Sequence, residues 1–108
     1  AALRATMISP EPGLTIVSFG HAGDGNIHCN IMYDKQNASQ AAQAGKAVGK
    51  LFEATIALGG TITGEHGVGL TKMAYLSLEI GPVEQDIMKK IKAVFDPRQI
   101  LNPGKIFS

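Results

Sequence analysis

A chain of 108 residues has room for one small hydrophobic core but not for a nucleotide domain and a substrate domain side by side. Its net charge of +1 comes from ten basic and nine acidic residues scattered without a run of one sign, so no nucleic-acid partner is expected. The lone cysteine, Cys29, excludes an internal disulfide, the opening AALRATMISP lacks the apolar stretch of a signal peptide, and no apolar run reaches membrane-spanning length. A cytoplasmic setting, free or peripheral to the membrane, is the expectation. With 44% hydrophobic residues but four Phe, two Tyr and no Trp, the core should be aliphatic.

Residues 1–13 carry Pro10, Pro12 and Gly13, which break regular structure, and read as an incoming segment rather than the start of a fold. LTIVSFG (14–20) and NIHCNIMY (26–33) are rich in β-branched and apolar residues. They flank Asp24-Gly25, a dipeptide suited to the positive φ angles of a two-residue turn, and predict a β-hairpin. Asn37 then stands where a long helix needs its cap, with Gln40 three residues on as in a capping box. Ala41, Ala44, Val48, Leu51, Phe52 and Ile56 recur at helical spacing until Gly59 and Gly60 stop the pattern.

TIT (61–63) is a short strand candidate, GEHGVG (64–69) a loop, and LTKMAYLSLEI (70–80) a short helix. Pro82 fits a first helical turn, and Val83, Ile87, Ile91 and Val94 form an apolar stripe ending before Asp96 and Pro97. The tail RQILNPGKIFS is turn-rich and reads as extended. The order ββαβ(α)α describes an α+β fold, an antiparallel sheet with helices packed on one face, and not a doubly wound nucleotide fold.

All three histidines fall in two glycine-flanked stretches, GHAGDGNIH (20–28) and GEHGVG (64–69). If the hairpin turns on Asp24-Gly25 alone, His21 stands directly opposite His28. Opposed residues project from one face with Cβ atoms roughly 4.5–5.5 Å apart, so both imidazoles could reach one ion; a one-residue slip would destroy the clamp. A carboxylate third ligand leaves such an ion open positions for substrate, and Glu65 supplies one. His66, pointing elsewhere on an extended loop, is then a candidate base. Plainer readings stand beside these. A single hairpin histidine is more often a hydrogen-bonded strand residue, Asp24 a turn residue, and Cys29, out of phase with His28, an apolar filler. GVG lacks the Lys-Ser/Thr of a phosphate loop and is not read as one.

GHAGDGNIH, GGTITGEHGVG and FDPRQILNPGK, in that order, resemble the C-terminal part of the FAD-linked 2-hydroxy-acid dehydrogenases: the glycolate oxidase D subunit, D-lactate dehydrogenase and D-2-hydroxyglutarate dehydrogenase type. The resemblance implies a substrate-side cap domain over 14–108, its fold a ferredoxin-like part of the FAD-linked oxidase C-terminal domain, with the FAD-binding domain absent from this chain. It implies that His21, His28 and Glu65 bind a divalent metal, zinc favoured over manganese or iron. It implies His66 as catalytic base, Asn30 as a substrate contact and Asn102 as a residue near the flavin.

The implied reaction is oxidation of a small 2-hydroxy acid to a 2-oxo acid by a full-length flavoprotein, with other oxidase subunits or an electron acceptor as candidate partners and this piece expected to be inactive alone. The rival class is a stand-alone metal-binding or regulatory α+β module without catalysis. A reading frame continuing upstream into about 300 further residues separates the two. A metal hydrolase is disfavoured because the HExxH spacing is absent.

Overall fold

The computed structural model describes residues 13–107, and the expected incoming segment at 1–13 lies outside them except for Gly13. The backbone divides into two compact units, Ala1–Glu65 and His66–Ser108.

In the first unit, strands β1 (Thr15–His21) and β2 (Asn26–Met32) pair antiparallel, from Thr15 opposite Met32 to His21 opposite Asn26. Opposed residues share a face and neighbours alternate. Val17, Phe19 and His21 therefore stand with Asn26, His28 and Asn30 on one side, and Ile16, Ser18, Ile27, Cys29 and Ile31 on the other. The second side is half-buried along its length, and Ile31 packs there against a core of Leu14, Ala44 and Ala47. Cys29 belongs to this side, its sulfur 3.9 Å from the Ser18 hydroxyl that faces it across the ladder.

Ala44 and Ala47 lie on helix α1 (Ala38–Ala57), whose small buried side chains let the helix sit close against the hairpin. The helix begins as its sequence requires: Asn37 has an extended backbone, and its Oδ1 accepts from the amides of Ser39 at 3.1 Å and Gln40 at 3.2 Å. The expected reciprocal arm of the capping box is different. Gln40 Oε1 accepts from the Asp34 amide at 2.8 Å, because the Asn37 amide is already engaged by the Asp34 carbonyl at 3.1 Å. At the other end the Gly60 amide returns to Thr55 O and the Gly59 amide to Ile56 O, a Schellman stop.

The strand expected at 61–63 does not form, and the described residues hold a two-stranded sheet. Among the described residues no strand pairs with this segment; Ile62 is instead buried, and the Thr61 hydroxyl donates within the segment to Thr63 O.

The second unit contains a 3-10 helix at Met73–Leu78, which buries Leu76, and helix α2 (Pro82–Phe95). Pro82 occupies the first turn, where its missing N–H costs nothing, and Glu84 and Lys92 match the helix dipole at the two ends. Gln85 Nε2 donates to Ile80 O at 2.8 Å, joining α2 to the preceding turn. The stripe of Val83, Ile87, Ile91 and Val94 is present but exposed.

The tail is folded rather than extended. Asp96 is buried, with Oδ1 accepting from the Ile100 amide at 3.0 Å and Oδ2 from the Leu101 amide at 3.0 Å and Lys92 Nζ at 2.5 Å. The Lys92 hydrogen bond, opposed by burial and assisted by the Leu101 and Ile100 amides, holds this carboxyl below the ordinary carboxylate range. No described helix is long and apolar enough to cross a membrane.

Candidate metal and substrate site

The hairpin loop decides where the histidines stand. It contains four residues, not two: Ala22–Asp24 make a 3-10 turn closed by Gly25, left-handed at φ 69°, whose amide reaches Ala22 O. The register consequently places Phe19, not His21, opposite His28, and His21 opposite Asn26. His21 keeps the face shared with His28 but takes the diagonal position, for which Cα separations of roughly 7–8 Å are usual. The direct two-histidine opposition expected from Asp24-Gly25 is corrected to this diagonal.

Gly20 makes the tight approach near the loop possible. A Cβ there would lie 2.3 Å from the Asn26 carbonyl oxygen, a backbone atom that cannot swing away. Asn26 also organises the next segment: its Oδ1 fills the space that a Cβ on Gly64 would occupy, 2.5 Å from that position. The glycine before Glu65 therefore lets the loop close on the hairpin.

The result is a contact between His28 Nε2 and Glu65 Oε1 at 2.9 Å, the histidine side chain 22% exposed and the glutamate 49%. Phe19 stacks on the His28 ring with centroids 5.2 Å apart and planes inclined by 27°. Asn30, two residues along β2, is exposed on the same face. Two residues from Glu65, the Thr63 hydroxyl is buried without a hydrogen-bond partner.

His66 opens the second unit and is exposed. In that unit the GVG loop and the tail are tied together, the Ile106 amide donating to Gly69 O at 2.9 Å. Asn102 is exposed with φ 47°, at the head of a turn through Pro103 and Gly104 that closes from the Lys105 amide to Asn102 O. The structure thus brings His28 and Glu65 together and sets His21 and Asn30 on the His28 face, while in the second unit it holds Asn102 in a turn.

Residues 1–106 match the family described as FAD linked oxidases, C-terminal domain. The chain belongs to this family. Among relatives of this FAD-linked oxidase domain is the glycolate oxidase subunit GlcD of Bacillus subtilis (strain 168), 48% identical over 101 residues, covering 94% of this chain and 22% of the relative. The D-2-hydroxyglutarate dehydrogenase of Stutzerimonas stutzeri (strain A1501) is 46% identical over 99 residues, 90% of this chain and 21% of the relative. The D-lactate dehydrogenase of Anaerostipes hadrus is 43% identical over 100 residues, with 92% and 21% covered. The chain spans about a fifth of the length of these curated relatives.

The donors of this FAD-linked oxidase domain fit a divalent metal. Nitrogen and oxygen ligands bind such ions at roughly 2.0–2.2 Å, so two donors set near a right angle about one ion lie about 3 Å apart. The Nε2 and Oε1 atoms are 2.9 Å apart, and the same spacing makes a hydrogen bond whenever Nε2 carries a proton. Sequence reasoning missed Phe19 and the Asn26–Gly64 contact. The alternation of LTIVSFGH contains the first, once the loop is given four residues; nothing in the sequence signals the second.

Proposed function

We propose that residues 14–108 form the substrate-side C-terminal domain of a flavin-dependent oxidoreductase that converts a small 2-hydroxy acid to its 2-oxo acid, residues 1–13 being the incoming segment and the FAD-binding domain lying outside this chain. The observation that carries the reading is the approach of His28 to Glu65 in a chain of this family. The relatives' names supply the substrate class: glycolate, D-lactate and D-2-hydroxyglutarate are all 2-hydroxy acids.

In this reading His28 and Glu65 hold a divalent metal, with His21 a further ligand reaching from the diagonal position; zinc is favoured, with manganese and iron suited to the same donors. Bound there, the metal supplies Lewis-acid polarisation of the substrate hydroxyl, and FAD supplies the two-electron acceptor. Asn30 offers an amide on the same face to orient the substrate. His66 takes the hydroxyl proton on an imidazole nitrogen, the side chain most often used for proton transfer in catalysis. Asn102, fixed in its turn, is the residue assigned to the flavin side.

The test is anaerobic mixing of the full-length, metal-loaded flavoprotein with glycolate, lactate or 2-hydroxyglutarate. Flavin bleaching with stoichiometric 2-oxo acid supports the reading. Metal binding without bleaching by any 2-hydroxy acid supports the non-catalytic module instead.

A further inference from the structure

The open face of the hairpin is not uniformly polar. Phe19 is directly opposite His28 in the ladder and stacked on its imidazole, yet is 55% exposed. Val17 at 42% and Met32 at 51% exposure extend the same face in apolar character. Neither strand contains Lys or Arg, so His21 and His28, both assigned to the metal in the reading above, are the basic side chains that the two strands bring to this face.

Resting on the 2-hydroxy-acid reading above, we propose that Phe19 is a specificity-determining residue. Its ring receives the carbon side chain borne by C2 of the substrate and selects 2-hydroxy monocarboxylic acids with an apolar chain. Stacking occupies one face of the ring and leaves the rest open beside the His28–Glu65 pair. A substrate anchored by its hydroxyl and carboxylate at the metal that this pair would hold would carry its side chain past an apolar surface, and each methylene buried there is worth about fourfold in affinity. A residue that served only to orient His28 would act equally on every substrate; one that touches the side chain would discriminate by chain length.

The experiment compares glycolate, which has no side chain, with 2-hydroxyhexanoate and 2-hydroxyglutarate, using the full-length holoenzyme and its Phe19→Leu and Phe19→Ala variants. The ratio of kcat/KM for hydroxyhexanoate to that for glycolate is read on one preparation, so any misfolded fraction cancels. It should fall about tenfold or more in Phe19→Ala and less in Phe19→Leu. The ratio of affinities for 2-oxohexanoate and glyoxylate, measured by calorimetry, should fall in parallel. The unsubstituted enzyme should prefer hydroxyhexanoate to hydroxyglutarate. A ratio within twofold of the unsubstituted enzyme in Phe19→Ala, or a preference for hydroxyglutarate, overturns the proposal. If the unsubstituted enzyme oxidises none of the three acids, the underlying reading fails and takes the proposal with it.

Discussion

His28 Nε2 lies 2.9 Å from Glu65 Oε1 although the whole of α1 separates the two residues in sequence. The approach depends on glycines on either side: Gly20 permits the close hairpin at Asn26 O, and Gly64 permits the loop to settle on the Asn26 side chain.

Replacing these glycines should give unequal losses. In Gly20→Ala the new methyl meets a backbone oxygen, with φ already at 153°, and only displacement of the ladder relieves it; overpacking of this kind costs typically 1–3 kcal/mol. In Gly64→Ala the obstacle is the end of the Asn26 side chain, which can rotate. Thermal unfolding should show the larger drop in Tm for Gly20→Ala. Equal drops would mean that Asn26 is as immovable as the backbone.

Asn37→Ala removes the acceptor for the Ser39 and Gln40 amides at the start of α1. Loss of such a cap typically costs about 1 kcal/mol, and Asn37→Asp should retain most of the stability. Urea denaturation of the two variants measures the difference.

Asp96 makes stability depend on pH in a defined direction. Its carboxyl titrates lower folded than unfolded, chiefly through Lys92, so its contribution is complete above the ordinary aspartate range and is lost as pH falls through the lower folded value. Asp96→Asn should therefore lower Tm at neutral pH, and its deficit should shrink on acidification across that window. A deficit that grows in acid would contradict the assignment.

The adjacent residues Glu65 and His66 should separate by kinetics. By the usual size of general acid-base effects, His66→Ala should lower kcat by roughly 10² to 10⁴ with metal content unchanged. Glu65→Gln should lower metal content and raise KM, recovering in part at high metal concentration. Steady-state kinetics paired with metal analysis distinguishes the two, and an exchange of the two signatures would reverse the roles.

The local elements were legible because each had a local cause: alternation for β1 and β2, Asn37 and the paired glycines for α1, Pro82 for α2. The hairpin register was not, because Asp24-Gly25 suits a two-residue turn as well as the end of a four-residue loop, and only the ladder chooses between them. That choice placed Phe19 against His28 and moved His21 to the diagonal. Residues 61–63 have strand-like composition, but among the described residues no strand pairs with them, and composition cannot report a missing partner. The folded tail leaves no periodic mark in the sequence because its organiser is one side chain, Asp96, whose acceptors reach forward to two amides and back to Lys92.

The most direct test of the central claim is metal content of the full-length protein by elemental analysis after dialysis against zinc, for the unsubstituted chain and for His28→Ala, Glu65→Gln and His66→Ala, with circular dichroism verifying the fold. The account predicts close to one ion per chain in the unsubstituted protein and in His66→Ala, and a marked loss in both His28→Ala and Glu65→Gln. Full occupancy in correctly folded His28→Ala and Glu65→Gln would show that the 2.9 Å pair is a hydrogen bond and not a metal site.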